Sequence, residues 1–316
     1  MTNGPAPDTD AFTAEVCWHY YINEMTQAEI AKLLGVTRLR VNQSIQRARA
    51  SGMVRIEIDS PFLPRFEQQT ALQDRYGLDM AIVAPTHPDH YDYHSPAGAA
   101  LASYLSERLR SGEWERIGVS WGMTLQCAIE RMMPQSQPDL EIISMIGGTG
   151  RGESFNTFGI ASGFARQLGA SYSLLAAPVF LAPQVDRAAF LSQQSFVEHY
   201  EKLGRLDAAI MTASDISENS YLIRAGLPST VSGADLIRAG VIGDVVGRFL
   251  NEAGETVDTP LAACTIGIEL DVLRAVPVRI LAAAGRHKVT VIRAIMKAGL
   301  ANVLITDDVT AELLLA

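Results

Sequence analysis

Five arginines, at positions 38, 40, 47, 49 and 55, stand between Thr37 and Arg55 with no acidic residue among them. The whole chain carries 35 acidic residues against 26 lysines and arginines, a formal charge of −9, so this local excess is not explained by solubility. It suits the neutralisation of phosphates. Arg38, Arg40, Asn42 and Gln43 are side chains able to make paired hydrogen bonds to base edges, and Arg47 lies further along the same segment. The chemistry is that of a duplex-DNA reader confined to one small patch. The acidic balance excludes a surface that is basic throughout.

A second kind of chemistry is expected further along. Three glycine-bearing turns follow apolar runs: Gly118-Val119-Ser120-Trp121-Gly122-Met123-Thr124, then Ile146-Gly147-Gly148-Thr149-Gly150-Arg151-Gly152, then Gly285-Arg286-His287-Lys288. Glycine permits close backbone approach, and a helix start offers free amides to an anion or hydroxyl. Lysine occurs only at 32, 202, 288 and 297, so Lys288 at a helix start is distinctive. Trp121 sits beside the first turn, where its ring could pack on a polyol face or serve the core equally well. The run His87-Pro88-Asp89-His90-Tyr91-Asp92-Tyr93-His94 has metal-ligand residue types, yet a polar surface loop is the stronger expectation. Cys17, Cys127 and Cys264 are too scattered for a metal or disulfide framework, which fits a reducing cytoplasm. No metal or other cofactor is expected. No apolar run approaches a membrane span.

The elements that must position these residues follow from periodicity and caps. Thr26-Gln27-Ala28-Glu29 is a capping box, Ile30, Leu33 and Leu34 give an apolar face, and Gly35 ends the helix. Thr37 opens a second helix with Leu39, Val41 and Ile45 available to pack inward, and Ala31 lets the two helices cross closely. Helix, glycine turn, helix is the helix-turn-helix layout, and Met53–Ile58 alternates like a small wing. Beyond Ser60-Pro61-Phe62-Leu63-Pro64, strands are predicted at Met80–Val83, Ile117–Ser120, Glu141–Met145, Ser173–Ala176, Ala208–Met211, Val278–Ala283 and Asn302–Thr306. Most are nearly continuous apolar runs, as in strands covered on both faces. Helical stretches between them, such as Ala97–Arg110, Leu125–Met132 and His287–Ala298, imply a parallel sheet. Phe249–Val257 is expected to be a hairpin with Gly254 in its turn.

Taken in order, Thr26-Gln27…Ile30-Ala31…Leu34-Gly35, Ser120-Trp121-Gly122-Met123-Thr124, Gly240-Val241-Ile242-Gly243-Asp244, Gly285-Arg286-His287-Lys288 and Leu304-Ile305-Thr306-Asp307-Asp308 make the chain resemble the SorC family. These are bacterial sugar- and polyol-responsive transcriptional regulators related to the DeoR type, and the resemblance runs from about Ala11 to the end. It implies a winged helix-turn-helix joined to an effector domain similar to sugar-phosphate isomerases and deaminases, in a dimer or tetramer. Carried over by position, the effector pocket would include Ser120, Gly122 and Thr124, with Gly147 and Gly148 nearby, Asp244, Lys288 and Arg224. The chain departs from the family's glycine-rich turns at Met211-Thr212-Ala213-Ser214 and Ala284-Gly285-Arg286-His287. Asp307 and Asp308 read equally well as helix N-terminal charges.

The expected fold class is therefore α/β, a winged helix-turn-helix with a larger doubly wound parallel-sheet domain. Residues 1–10 are read as a disordered lead-in, 11–60 as the DNA-binding domain and 61–316 as the effector and oligomerisation domain. The expected function is a cytoplasmic transcriptional regulator, a repressor, of a carbohydrate or polyol operon. Its partners would be double-stranded operator DNA (bound by Thr26, Gln27, Thr37, Arg38, Arg40, Asn42, Gln43 and Arg47), a small sugar, polyol or sugar phosphate, and further copies of itself, with no membrane. The alternative is an isomerase or deaminase using Asp244 and His287 as base and proton shuttle.

Overall fold

A computed structural model describes residues 10–54, 63–87, 89–150 and 153–316. The expected lead-in apart from Asp10, most of the wing at 53–58, Arg55, the Ser60–Phe62 part of the boundary, and Arg151 and Gly152 lie outside the described residues. The chain forms two compact units that divide between Leu63 and Pro64.

In the first unit, α1 (Asp10–Cys17) leads through a short π-helical turn to α2 (Gln27–Leu33) and α3 (Arg38–Ala50). The Thr26 hydroxyl accepts from the Glu29 amide while the Glu29 carboxylate accepts from the Thr26 amide, so both ends of the capping box are closed. Gly35 follows with a φ of 63°, and the Thr37 hydroxyl caps α3 by accepting from the Arg40 amide. Val41, Ser44, Ile45 and Ala48 form the buried stripe of α3; Val41 and Ile45 pack with Val16, Ile30 and Ala31. Leu39 corrects the expectation of an inward position: it is 66% exposed, because it lies two residues off that stripe.

All but the first residue of α4 (Leu63–Tyr76) belongs to the second unit. The chain then runs through β1 (Met80–Ala84), α5 (His94–Arg108), β2 (Arg116–Val119), α6 (Met123–Arg131), β3 (Glu141–Ser144), α7 (Thr157–Leu168) and β4 (Ser171–Ser173). Next come α8 (Arg187–Leu191), α9 (Gln194–Leu203), β5 (Ala208–Met211), β6 (Ser214–Asp215), α10 (Gly233–Arg238), β7 (Gly243–Val245) and β8 (Arg248–Leu250). The chain ends with α11 (Leu270–Ala275), β9 (Val278–Ala282), α12 (Val289–Lys297), β10 (Val303–Asp307) and α13 (Asp308–Leu315).

Seven strands make one parallel sheet in the order β1-β10-β9-β5-β2-β3-β4. Alternate strand residues enter two cores. Ile142, Ile210, Ile280 and Ile305 meet α5, α6 and α7 through Leu101, Leu125 and Phe164. Ile143, Met211, Leu281 and Leu304 meet the opposite layer through Leu72, Leu273, Ile295 and Leu314. Both faces are covered, which is why the strands read as unbroken apolar runs.

Of two further expectations, one needs correcting and one is met. The strand at 173–176 lies instead at Ser171–Ser173, because the Leu175 amide donates to the Ser144 hydroxyl at 2.6 Å and Leu175 turns into a separate cluster with Phe196 and Ile266. The hairpin at 249–257 forms as a short one: Leu250 bridges Thr256, the Val257 amide donates to the Phe249 carbonyl and the Asn251 amide to the Glu255 carbonyl, with Gly254 at φ 86° in the turn. Its first strand pairs mainly with β7, giving the antiparallel sheet β6-β7-β8.

Candidate functional site

From β2 the chain winds outward through β3 and β4, whereas from β5 it winds the other way through β9 and β10. β2 and β5 are neighbours, so the winding reverses between them and leaves a crevice at their C-terminal ends. A cavity of about 470 Å³ occupies that place. Its walls are the β2–α6 turn (Trp121 to Thr124), the segment after β5 (Thr212 to Asp215), the stretch around Ser220, Tyr221 and Arg224, and His287 with Lys288 after β9. Tyr93 and His94, at the head of α5, complete it.

Gly122 shapes the first wall. Its backbone lies at φ 129°, open in practice to glycine alone, and a Cβ there would come within 2.9 Å of the Thr212 Oγ1. Thr212 cannot move aside freely, since its hydroxyl donates to the Trp121 carbonyl at 2.7 Å and its amide donates to the Ser120 hydroxyl at 3.3 Å. Ser120 thus ties the two turns together from behind the cavity and is itself buried. Thr124 lines the cavity, its hydroxyl 3.1 Å from the His94 Nδ1. Burial lowers His94 to about 4, so its imidazole is neutral near pH 7.

Lys288 enters the cavity with its Nζ 5.6 Å from the centre of the Tyr93 ring. Burial lowers its ammonium to about 8 in spite of Asp215 and Asp244, which both favour the charged form. Asp244 does not line the cavity. It stands opposite Ser214 in the β6–β7 ladder, 3% exposed, with a carboxylate oxygen accepting from the Gly247 amide at 3.1 Å. Burial pushes this carboxyl up to about 7.

Of the other positions named from the sequence, Arg224 lies exposed on the cavity wall, in the π-helical turn Leu222–Gly226. Gly147 and Gly148 are not in the lining; a Cβ on the first would strike the Ala177 carbonyl at 2.6 Å and on the second the Phe158 ring at 2.8 Å. They pack backbone against backbone and ring, and from the same turn the Thr149 hydroxyl lies 2.5 Å from that of Tyr221, which lines the cavity. Trp121 is 3% exposed and meets Tyr221 edge to face at 5.7 Å, so it is chiefly a core residue that shows one edge to the cavity. Asp307 caps α13 by accepting from the Thr310 amide, and Asp308 accepts from the Thr86 amide and hydroxyl. Both act as structural charges.

Sequence reasoning missed Tyr93, Thr212, Asp215 and Tyr221, and left His94 in an unassigned loop. His94 opens α5, with Pro96 tolerated in its first turn, while His90 lies outside the helix, so the two share no helical face. Among the described residues, no three histidine, cysteine, aspartate or glutamate side chains converge to hold a metal ion. Nor does any histidine ring there hydrogen-bond to a carboxylate, the pairing that the enzymatic alternative requires. A larger cavity of about 670 Å³ lies away from the strand ends, and four of its charged residues pair with one another, Arg274 with Asp271 and Arg248 with Glu269.

In the first unit, Arg38, Gln43 and Arg47 are exposed on α3; Gln43 and Arg47 lie away from its buried stripe, whereas Arg38 opens the helix three residues before Val41, on the flank of that stripe. Asn42 is half-buried, its side-chain oxygen accepting from Gln27 at 3.5 Å across the turn. The Arg40 guanidinium lies over the Phe12 ring at 4.6 Å, which directs it along the flank of the helix. Among the described residues no helix is long and apolar enough to cross a membrane.

Residues 60–316 match the family model described as "Putative sugar-binding domain". The chain is 28% identical over 307 residues to the erythritol catabolism regulatory protein EryD of Brucella abortus (strain 2308), covering 97% of this chain and 96% of that one. It is 30% identical over 308 residues to the transcriptional regulator LsrR of Escherichia coli O9:H4 (strain HS), covering 96% and 93%. The crystal structure of the full-length sorbitol operon regulator SorC from Klebsiella pneumoniae superposes with a TM-score of 0.74 at 28% identity, over 97% of this chain and 99% of that one. These relatives are named as regulators and none as an isomerase or deaminase. A switch-point cavity, carried by the same chain as a capped helix-turn-helix, agrees with them: the chain belongs to the sugar-binding-domain family of SorC/DeoR-like transcriptional regulators.

Proposed function

We propose that residues 11–60 bind operator DNA through α3, and that residues 61–316 bind a small sugar, polyol or sugar phosphate in the switch-point cavity and hold copies of the chain together. The observation that carries the effector reading is the composition of that cavity. Lys288, flanked by Asp215, faces the hydroxyls of Thr124, Ser217 and Ser220, with the rings of Phe155 and Tyr221 forming an apolar side. Hydroxyl and amide donors around a flat aromatic face suit a polyhydroxylated ligand. Gly122, Thr124, Arg224 and Lys288 contact the effector, while Ser120, Gly147, Gly148 and Asp244 hold the walls in place. The erythritol and sorbitol named for two relatives support a polyol or sugar as its class.

On the DNA side, Arg38, Asn42 and Gln43 face base edges and Arg47 a phosphate, with Thr26, Gln27 and Thr37 fixing the helix that presents them. The protein acts in the cytoplasm as a homo-oligomeric repressor, a dimer or tetramer whose paired heads lie about 34 Å apart to read a two-fold site. The effector binds one quaternary arrangement better than the other, and a coupling of about 1–3 kcal/mol is enough to switch the operon. The test is a fluorescence-anisotropy titration of DNA upstream of the protein's own gene. Four- to six-carbon polyols, sugars and their phosphates are then added in turn. Binding that falls steeply with salt and is released by one of these compounds is expected; salt-independent binding would count against the reading.

A further inference from the structure

We propose that Leu39 reads the 5-methyl group of a thymine in the major groove of the operator. The inference rests on α3 as the DNA-contacting helix and adds what that helix recognises. At 66% exposure Leu39 is the most exposed large apolar side chain among the described residues of the first unit. A single exposed leucine is ordinary on a protein surface, and what distinguishes Leu39 is its place beside Gln27, Arg38 and Asn42 in one recess. Its place on α3 is on the side opposite Val41 and Ile45, three and four residues before Asn42 and Gln43, so the three share one outward strip.

With Gln27, Arg38 and Asn42, Leu39 lines a shallow recess of about 390 Å³. The hydrogen bond from the Gln27 amide to the Asn42 side-chain oxygen, 3.5 Å long, steadies one wall. The recess is thus apolar on one side, rimmed by amides and a guanidinium, in a segment that carries five arginines and no acidic residue from Thr37 to Arg55. Those surroundings match a polyanion that presents a small apolar projection beside hydrogen-bonding edges. In the major groove of DNA the thymine methyl is that projection, next to the paired adenine's donor and acceptor.

The experiment uses the full chain and a duplex recovered by repeated selection from a random-sequence pool. Each thymine of that duplex is replaced in turn by uracil, which removes the methyl and leaves base pairing intact. For the natural chain, at least one replacement is expected to weaken binding by about three- to fivefold, the effect of burying one methyl-sized group. Leu39→Ala is expected to bind the thymine duplex more weakly and to be indifferent to that same replacement. Equal binding of every uracil duplex by the natural chain, or undiminished uracil sensitivity in Leu39→Ala, would overturn the proposal. Failure to recover any duplex bound better than random DNA would instead overturn the operator reading itself. A far-ultraviolet circular dichroism spectrum of Leu39→Ala superimposable on the natural one keeps the comparison valid.

Discussion

Ser214 and Asp244 face each other in register across the β6–β7 ladder, which places a buried carboxylate directly behind the cavity wall that Ser214 and Asp215 form. The small antiparallel sheet therefore supplies a charge to Lys288 without exposing it to the ligand. Burial pushes Asp244 to about 7 from 3.8 and lowers Lys288 to about 8 from 10.5, so both sit close to neutral pH.

The pH dependence of stability follows with a definite sign. Between pH 3.8 and about 7 the folded chain keeps the Asp244 proton that the unfolded chain has lost, so stability falls as pH rises through that window. Between about 8 and 10.5 the unfolded chain holds the Lys288 proton that the folded chain releases, so this group makes stability rise with pH. In Asp244→Asn, whose side-chain oxygen can still accept from Gly247, the first slope is removed. Thermal melts from pH 4 to 8 should show the variant gaining on the natural chain up to about pH 7 and then running parallel to it. Parallel curves throughout would mean that Asp244 ionises as it does in water.

Removal of the cavity's lysine should separate sensing from DNA binding. Lys288→Gln keeps a long polar side chain but loses the charge. Effector affinity should fall about ten- to a hundredfold, as for a lost charged hydrogen bond. Operator binding without effector should stay as it was, giving a protein that binds DNA and cannot be released. Anisotropy titrations with and without the effector measure both, and retained release would remove Lys288 from the ligand's contacts.

Much of this was legible in the sequence for identifiable reasons. Strands covered on both faces announce themselves as apolar runs, and the boxes and turns at Thr26, Gly35 and Thr37 have local chemistry that fixes local geometry. What stayed hidden is what depends on strand order. Tyr93 follows the edge strand β1 in sequence, yet it meets Lys288, nearly two hundred positions later, because α5 begins over the sheet's C-terminal edge. Ser214-Asp215 and Gly243-Asp244-Val245 are too short to carry a period, so β6 and β7 leave no signal. Residue type alone points Leu39 inward, whereas the stripe at 41, 44, 45 and 48 sets the inward direction of α3 elsewhere.

Glycine at 122 is tested by contrast with glycine at 240. Both have positive φ, 129° and 87°, but a Cβ at 122 would meet Thr212 at 2.9 Å whereas one at 240 meets nothing within 4 Å. Each Gly→Ala change should cost about 1–3 kcal/mol through backbone strain. Only Gly122→Ala should also abolish the effector-induced thermal shift, since it disturbs the Trp121–Thr212 contact on the cavity wall. Equal effector shifts in the two variants would show that the β2–α6 turn is not part of the ligand's surroundings.

Arg38 and Arg47 should differ in kind. Arg38 is at the first turn of α3, where base edges come within reach, whereas Arg47 is in its last turn, where the helix leaves the groove for the backbone. Arg47→Ala should therefore weaken binding to every sequence alike and lower the slope of log affinity against log salt by about 0.9, one phosphate's worth. Arg38→Ala should relax the preference at one base pair of the selected site, at a discrimination of about 1–3 kcal/mol. Salt titrations of each variant on the selected duplex, and on duplexes changed at single pairs, distinguish the two roles. If both variants lost salt slope equally with the base preferences intact, α3 would be gripping the backbone along its whole length, and the reading of bases would have to come from elsewhere in the chain.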